Sequence, residues 1–199
     1  MKSKRAAVLI TAGVLCLAGA LGLTVKNIFD EERAAASADM GVEELREIIP
    51  KKETEEQQLV PEPQVVVPTI TLDDRDYIGV LDIPALGRTL PVQGEWSDAL
   101  LKYSPCLYKG DLYDGMIIAG HNYRSHFAGL SKLQAGDKIT FTDVDGNVWN
   151  YTVAGTETIQ GYDVARMEDG DWDLTLFTCT YGGQQRYTVR CTLDQPFSA

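Results

Sequence analysis

The sequence predicts a mainly β fold, built as a closed antiparallel barrel or a sandwich and preceded by one membrane-spanning helix. Three observations support this class. The N-terminal region contains a long uncharged apolar run. From about residue 69 the chain consists of short runs rich in β-branched and aromatic residues, bounded by turn residues, which predicts about seven or eight strands. An Asp145-Gly146 pair between two of these runs is a strong hairpin signal.

Residues 6–25, AAVLITAGVLCLAGALGLTV, form the predicted transmembrane anchor because they carry no charge. At about 1.5 Å per residue, such a helix is roughly 30 Å long and matches one bilayer core. Basic residues lie within residues 1–5, and acidic residues follow at 30–32. The positive-inside rule then places the short tail in the cytoplasm and the rest of the chain outside, as a single-pass cell-membrane protein.

A cleaved signal peptide is the alternative, because Ala18-Gly19-Ala20 resembles a small-residue cleavage site. The apolar run is longer than a usual signal core and continues past these residues, which favours an uncleaved anchor. In both cases the folded part of the chain is exported.

Residues 26–68 are predicted to be an extracellular spacer. EELREII indicates a short helix, and the charged, proline-punctuated stretch after it cannot bury enough apolar surface to fold alone. Prolines favour extended chain, so this segment would hold the domain of residues 69–199 away from the membrane.

The predicted strands follow one another along that domain, and two helical patches interrupt them at about 97–103 and 124–133. The strand-like runs are YIGVLDIPAL, RTLPVQG, DGMIIAGH, KITFTDVDGNVWNYTVAGTETI, DLTLFTC and RYTVRCTL. The net charge of −11, with no dense basic stripe, argues against a nucleic-acid partner.

The run DLTLFTC ends on a cysteine whose face differs from that of its leucines. Side chains alternate across a strand, so Leu174 and Leu176 face a core and Cys179 faces the other way. If TYGGQQ closes a hairpin, the simplest register sets Cys179 opposite Arg186, and Arg190 lies roughly 13 Å further along. A guanidinium at position 186 could therefore stabilise charge beside the sulfur.

A thiol needs a base to become a good nucleophile, and the chain has two histidines. The run MIIAGH ends on His121 much as DLTLFTC ends on Cys179, so adjacent strands would bring these two side chains together. His126 falls inside the second helical patch and is predicted to face solvent.

These residues resemble the sortase family. TLFTC followed by an arginine is similar to the family's TLxTC…R signature, and IIAGHNYRSHFAGLSKLQAGDKITF is similar to its histidine segment. IGVLDIPALGRTLPV is similar to its opening strands, so that the resemblance covers about residues 76–193.

The resemblance implies an eight-stranded β-barrel and a membrane-anchored cysteine transpeptidase of Gram-positive surfaces, in the hydrolase class. It implies that Cys179 is the nucleophile, His121 the general acid/base and Arg186 the stabiliser. The implied substrates are secreted proteins with an LPxTG-like C-terminal sorting signal, which pass through a thioester to an amine of the cell wall or its precursor. Thr178 matches the threonine of the family motif and is a predicted substrate-binding residue, with packing as the alternative. Tyr181 is also predicted to bind substrate, but it and the double glycine after it depart from the family pattern, so substrate preference does not follow from the resemblance.

The subclass predicted from the resemblance is class A-like or class D-like. The chain has DDRDY where pilin-polymerising members carry an Asp-Pro-aromatic lid, and it lacks the long helical insert of class B before the cysteine strand. A specialised member with a non-standard signal and few clients is a second possibility.

No metal or other cofactor is predicted. An acidic cluster before the cysteine strand offers oxygen ligands for Ca²⁺, but its spacing follows no calcium-loop pattern, which favours a solvated loop. Cys106 and Cys191 are predicted to be free thiols, with a disulfide as the alternative. A non-catalytic surface adhesin is the alternative from a different functional class, and it requires no chemistry at Cys179.

Overall fold

A computed structural model describes residues 2–51 and 67–194, with side chains from residue 9 onward. Within these residues the chain forms two α-helices, nine strands and three short 3₁₀ turns. The elements are α1 (Lys2–Ile48), β1 (Ile70–Leu72), β2 (Arg75–Ile83), β3 (Arg88–Gln93), β4 (Cys106–Lys109), β5 (Met116–Gly120), β6 (Lys138–Asp143), β7 (Val148–Gln160), α2 (Val164–Glu168), β8 (Leu174–Cys179) and β9 (Gln185–Leu193).

Eight of these strands form a closed barrel. They pair in the order β2-β3-β4-β5-β8-β9-β7-β6, and β6 pairs again with β2 to close the ring. The three-residue β1 adds only to the side of β2. Most pairs are antiparallel, while β3–β4 and β5–β8 are parallel. The predicted mainly β class and eight-stranded barrel are therefore confirmed, and the sandwich alternative is excluded.

Each predicted strand run contains a strand, and the β6–β7 hairpin turns at the predicted Asp145-Gly146 pair. Gly146 has a φ of 81°, a left-handed conformation that glycine adopts without steric cost. The short strands β1 and β4 were not predicted, because three or four residues carry too little pattern. The predicted helical patches contain only 3₁₀ turns, Leu100–Lys102 and Leu130–Lys132.

The strand β8 separates two apolar clusters. Leu174 and Leu176 are buried in the barrel interior, as the alternation predicted. Phe177 lies on the outer face, where it packs with Ile159 and Met167 beneath α2. Because both faces of β8 are buried, its end is rigidly placed.

The long N-terminal helix α1 differs from the prediction. The helix is continuous from Lys2 to Ile48, so that residues 26–48 are helical throughout and the helix extends far beyond the short one predicted at EELREII. Residues 52–66, which carry the proline-rich part of the predicted spacer, lie outside the described residues. Among the residues described, α1 is the one helix long and apolar enough to cross a membrane, by length and composition.

The second half of α1 packs on the barrel. Its buried apolar residues recur every three or four positions on one helical face and are Ala34, Ala38, Val42 and Leu45, with Ile49 continuing the stripe just after the helix. Val42, Leu45 and Ile49 pack on Tyr77 and Val80 of β2, and Ala38 packs in the barrel core. An Arg46–Asp82 ion pair of 3.2 Å adds a polar contact at the edge. The sequence suggested a domain held away from the apolar helix by a spacer, and the structure instead packs the domain against the second half of that same helix.

We expect Leu45→Ala to lower the free energy of unfolding by about 2–5 kcal/mol, because Leu45 is fully buried between α1 and β2. Ile48→Ala is the matched control, since Ile48 lies on the same helix with 52% of its surface exposed. Urea unfolding of the full chain in detergent measures both. Equal losses in the two variants would show that α1 does not pack on the barrel in solution.

Candidate active site

The carboxyl ends of β5 and β8 lie side by side at one edge of the barrel. The two strands are parallel neighbours, and their last paired residues are Gly120 and Thr178. His121 follows Gly120 and Cys179 follows Thr178, so both residues lie at this edge, where the strand ends predicted them. We call this edge, with the β8–β9 turn at residues 180–184, the active-site rim.

Arg186 completes the rim from β9. It is the direct cross-strand partner of Cys179, in the register predicted for the hairpin. Its Nη1 donates hydrogen bonds to the carbonyl oxygens of Gly183 at 3.1 Å and Gln185 at 3.4 Å. No carboxylate pairs with Arg186 within the described chain, so its charge is available to a ligand at the rim.

Arg190 has a different environment, four positions further along β9. Its side chain is buried and forms an ion pair with Glu157 at 3.0 Å. It also donates to the carbonyl oxygens of Arg166 and Met167 and to Thr175 Oγ1. These bonds attach α2 to the outer face of the barrel, so that Arg190 has a structural role.

Gly120 leaves space for the ring of Phe127 beside the rim. A Cβ atom at this position would overlap the ring of Phe127, which closes the loop after β5. The Phe127 N–H also donates to the His121 carbonyl oxygen at 3.2 Å. The glycine at position 120 and the phenylalanine at position 127 therefore fit against each other. This contact holds the loop that follows His121 against the barrel.

Tyr123 stacks on the imidazole of His121, and sequence reasoning did not identify it. The ring centroids are 3.7 Å apart and the planes differ by 18°. His121 is half-buried, and its Nδ1 has no hydrogen-bond partner among the described residues. Burial lowers the pKa of His121, nearby Lys102 lowers it further, and Asp30 of α1 opposes the shift. The imidazole is therefore neutral at pH 7 and can accept a proton.

The prediction that His126 faces solvent is wrong. His126 is 1% exposed, and neither ring nitrogen has a hydrogen-bond partner in the described part of the chain. Burial lowers its pKa to about 4, although the backbone of Ala34 and Tyr103 acts in the opposite direction. The cause of the error is α1, which covers this loop at Ala34 and which the sequence pattern did not bring here.

We expect His126 to make the fold sensitive to acid. The unfolded state binds a proton near the ordinary pKa of 6.5, whereas the folded state binds it only near 4. Stability is therefore full above pH 6.5 and falls by about 3 kcal/mol as the pH drops to 4, at 1.36 kcal/mol per unit. Urea unfolding of the full chain at pH 7.5 and pH 4 should show a smaller loss for His126→Leu. An equal loss in both proteins would contradict this.

The two residues predicted to bind substrate differ in accessibility. Tyr181 is 100% exposed in the β8–β9 turn, where Gly182 and Gly183 have φ angles of 92° and 74°. Thr178 is buried, and its Oγ1 has no partner among the described residues. Both assignments stay predictions.

Three further cysteines lie away from the rim. Cys16 is exposed on the apolar half of α1, and Cys106 and Cys191 are separate buried thiols, as predicted. Burial raises the pKa of both buried thiols to about 12, so that neither is a nucleophile near pH 7. Cys179 is half-buried at the rim, where β8 ends next to the end of β5.

Most carboxylates of the predicted acidic cluster have partners within the chain. Asp163 accepts from the backbone N–H of Arg166, Glu168 pairs with Lys109 at 2.5 Å, and Asp173 accepts from the N–H of Leu193. Among the residues described, no three His, Cys, Asp or Glu side chains form a group that could hold a metal ion. The prediction of no cofactor stays a prediction.

Comparison with known proteins identifies a family whose sequence model matches this chain. The family model described as the sortase domain matches residues 81–194. None of the curated protein sequences compared with the chain is similar to it. Three solved structures illustrate the structural likeness.

The first, sortase A of Listeria monocytogenes, is 26% identical over 60% of this chain and 88% of its own, with a TM-score of 0.55. The second, a Clostridium perfringens sortase D5 transpeptidase, is 23% identical over 60% and 80%, with a TM-score of 0.54. The third, sortase C1 of Streptococcus agalactiae, is 25% identical over 63% and 72%, with a TM-score of 0.54. Classes A, C and D are all represented, so the class of this chain stays open.

Proposed function

The chain belongs to the sortase family, and from this premise we propose that it is a membrane-anchored cysteine transpeptidase with Cys179 as its nucleophile. It cleaves an LPxTG-like signal near the C-terminus of secreted proteins and transfers them to an amine of the cell wall or its precursor. The observation that supports the proposal is the strand register, which pairs Cys179 with Arg186 and ends β5, just before His121, beside the end of β8.

The first half of the reaction forms a thioester. The Cys179 proton passes to His121, whose lowered pKa leaves it neutral and able to accept. The sulfur attacks the carbonyl carbon of the scissile peptide bond, and Arg186 donates hydrogen bonds to the oxyanion that develops. The C–N bond then breaks as His121 returns its proton to the leaving amine.

The second half transfers the acyl group. An acceptor amine attacks the thioester carbon, and His121 takes the proton that the amine loses. The C–S bond breaks, and the Cys179 thiolate regains a proton. The product is an amide bond between the substrate protein and the acceptor, with the enzyme restored.

The N-terminal helix supports a location at the cell membrane. Residues 9–29 of α1 are exposed and mostly apolar, as a membrane-spanning segment requires. In the proposed orientation the basic N-terminus lies in the cytoplasm and the barrel lies outside.

Cleavage of a peptide library by the full chain in detergent tests the function, with products identified by mass spectrometry. The full chain is needed because α1 packs on the barrel, so that a fragment starting at residue 69 lacks a buried face. We expect one preferred signal and, when a small amine is added, a transpeptidation product. Cleavage that persists in Cys179→Ala, or no cleavage by the parent chain, would contradict the proposal.

A further inference from the structure

The helix α1 runs along the barrel, and its path fixes the distance between the active-site rim and the apolar half of the helix. At the C-terminal end of the helix, a Cβ on Gly146 would overlap the Pro50 carbonyl, so the chain there lies against the β6–β7 turn. Further toward the N-terminus, Glu31 Oε1 accepts from the Arg124 N–H at 3.0 Å, in the loop that follows His121. From Ile48 to Glu31 the helix spans about 25 Å, at about 1.5 Å per residue. The helix therefore runs from the far end of the barrel to the rim.

Beyond the rim the helix leaves the barrel. Residues 9–29 are all exposed, and the first residue buried on the barrel is Ala34. The apolar run ends at Val25, so about 8 Å of helix separates it from Asp30 at the rim. Headgroups add only about 5–8 Å to each side of the hydrocarbon core. The rim thus lies at the height of the headgroups when residues 6–25 span a bilayer.

The link between membrane and rim is stiff. The segment from Val25 to Ala34 contains neither glycine nor proline, the residues at which helices commonly bend. An Asp30–Arg33 ion pair of 3.5 Å lies on this segment. Because α1 is buried on the barrel from Ala34 onward, the barrel cannot swing freely about the anchor.

The rim carries exposed aromatic side chains that suit a headgroup layer. Tyr181 in the β8–β9 turn is 100% exposed, and Tyr162 in the turn after β7 is 84% exposed. The two turns are joined by a hydrogen bond of 2.8 Å from the Gly161 N–H to the Gln184 carbonyl oxygen. Tyrosines are enriched at membrane interfaces, where an apolar ring and a polar hydroxyl are both accommodated. Contact through tyrosine rings does not require basic residues that attract the lipid headgroups, and the net charge of the chain is negative.

We propose that the active-site rim docks on the surface of the bilayer that α1 spans, with Tyr162 and Tyr181 in the headgroup layer. Cys179 then opens toward the membrane, and α1 sets its height. A peptide held close to the same bilayer is then cleaved in preference to a free one. This consequence rests on the proposed transpeptidase function, whereas the docking itself does not.

Energy transfer to a lipid acceptor measures the docking. The full chain carries Cys16→Ser and Cys179→Ala, and a donor dye is attached at Gln184→Cys on the rim or at Asp145→Cys in the β6–β7 turn. Both positions are exposed, and they lie at opposite ends of β7, which is about 40 Å long at about 3.3 Å per residue. In phosphatidylcholine vesicles we expect much stronger transfer from position 184. Equal transfer, or stronger transfer from position 145, overturns the docking.

A helical insertion tests the role of α1 with an intact Cys179. Seven alanine- and glutamate-rich residues between Ile28 and Phe29 raise the barrel by about 10 Å and keep its orientation within about 20°. We expect cleavage of a vesicle-tethered sorting peptide to fall at least tenfold while cleavage of the soluble peptide stays unchanged. Unchanged cleavage of both peptides overturns the height-setting role of α1.

The two proposals fail separately. If position 184 lies close to the lipid but the parent chain cleaves neither peptide, the transpeptidase function fails and the docking stands. If both peptides are cleaved but position 184 lies far from the lipid, the docking fails and the function stands. If the chain does not float with the vesicles, both the membrane anchor and the docking fail.

Discussion

The Cys179→Ala variant should lose cleavage of a sorting peptide by at least about 10⁴-fold, because no other group at the rim can form the thioester. Its fold should be unchanged, since Cys179 is only half-buried at the end of β8 and alanine fits the same backbone. Initial rates on a fluorogenic peptide give the loss of activity. Thermal unfolding of the same sample gives the effect on the fold.

Cys106→Ala is the matched control for this prediction. It also removes one sulfur atom, but from a fully buried thiol. Burial raises the pKa of the Cys106 thiol to about 12. We expect about 1 kcal/mol of lost stability and rates within a few-fold of the parent. A rate for Cys179→Ala within tenfold of the parent would exclude Cys179 as the nucleophile and favour the adhesin alternative.

Arg186→Ala should lower kcat by about 10²–10³-fold with little effect on the unfolding temperature. The guanidinium bonds only to carbonyl oxygens of its own turn, at Gly183 and Gln185, so its removal costs the fold little. Arg186→Lys should recover only part of the rate, because an ammonium lacks the planar donor pair of a guanidinium. Steady-state kinetics on the same peptide separate kcat from KM.

Arg190→Ala should have the reverse effect. Its loss removes donors to Thr175 Oγ1 and to the carbonyl oxygens of Arg166 and Met167, and it leaves Glu157 paired with the exposed Arg166 alone. We expect a loss of about 1–3 kcal/mol in the free energy of unfolding, because buried acceptors lose their donor, and near-normal kcat in the molecules that remain folded. Full activity in Arg186→Ala, together with a kcat loss in a stable Arg190→Ala, would assign the stabilising role to Arg190.

The two arginines illustrate how much of the site was readable in the sequence. The pairing of Cys179 with Arg186 depends on one short turn, so counting residues across the hairpin was sufficient. The structural role of Arg190 depends on α2 and on Glu157 of β7, which are distant in sequence. No local pattern reports those contacts, and the five-residue α2 was not predicted.

The packing of α1 on the barrel could not be predicted from the sequence. Its buried stripe follows a regular three- and four-residue spacing, but it begins with Ala34 and Ala38, which are small and weakly apolar. Charged residues surround them, so the segment resembled a spacer. The same omission made His126 look exposed, because the surface that covers it belongs to an element about 90 residues earlier.

Local patterns were sufficient for the long apolar N-terminal helix, the β class, the Cys–Arg register and the placement of His121 and Cys179 at one edge of the barrel. Each depends on periodicity, turn chemistry or strand ends, which act between residues close along one or two strands. The burial of His126, the structural role of Arg190, the stacking of Tyr123 on His121 and the position of α1 on the barrel depended on the complete fold. These features depend on apolar surfaces that stay exposed until segments distant in sequence pack together as the barrel closes. The free energy of burying such a surface depends on both segments, so that no local sequence pattern reports it.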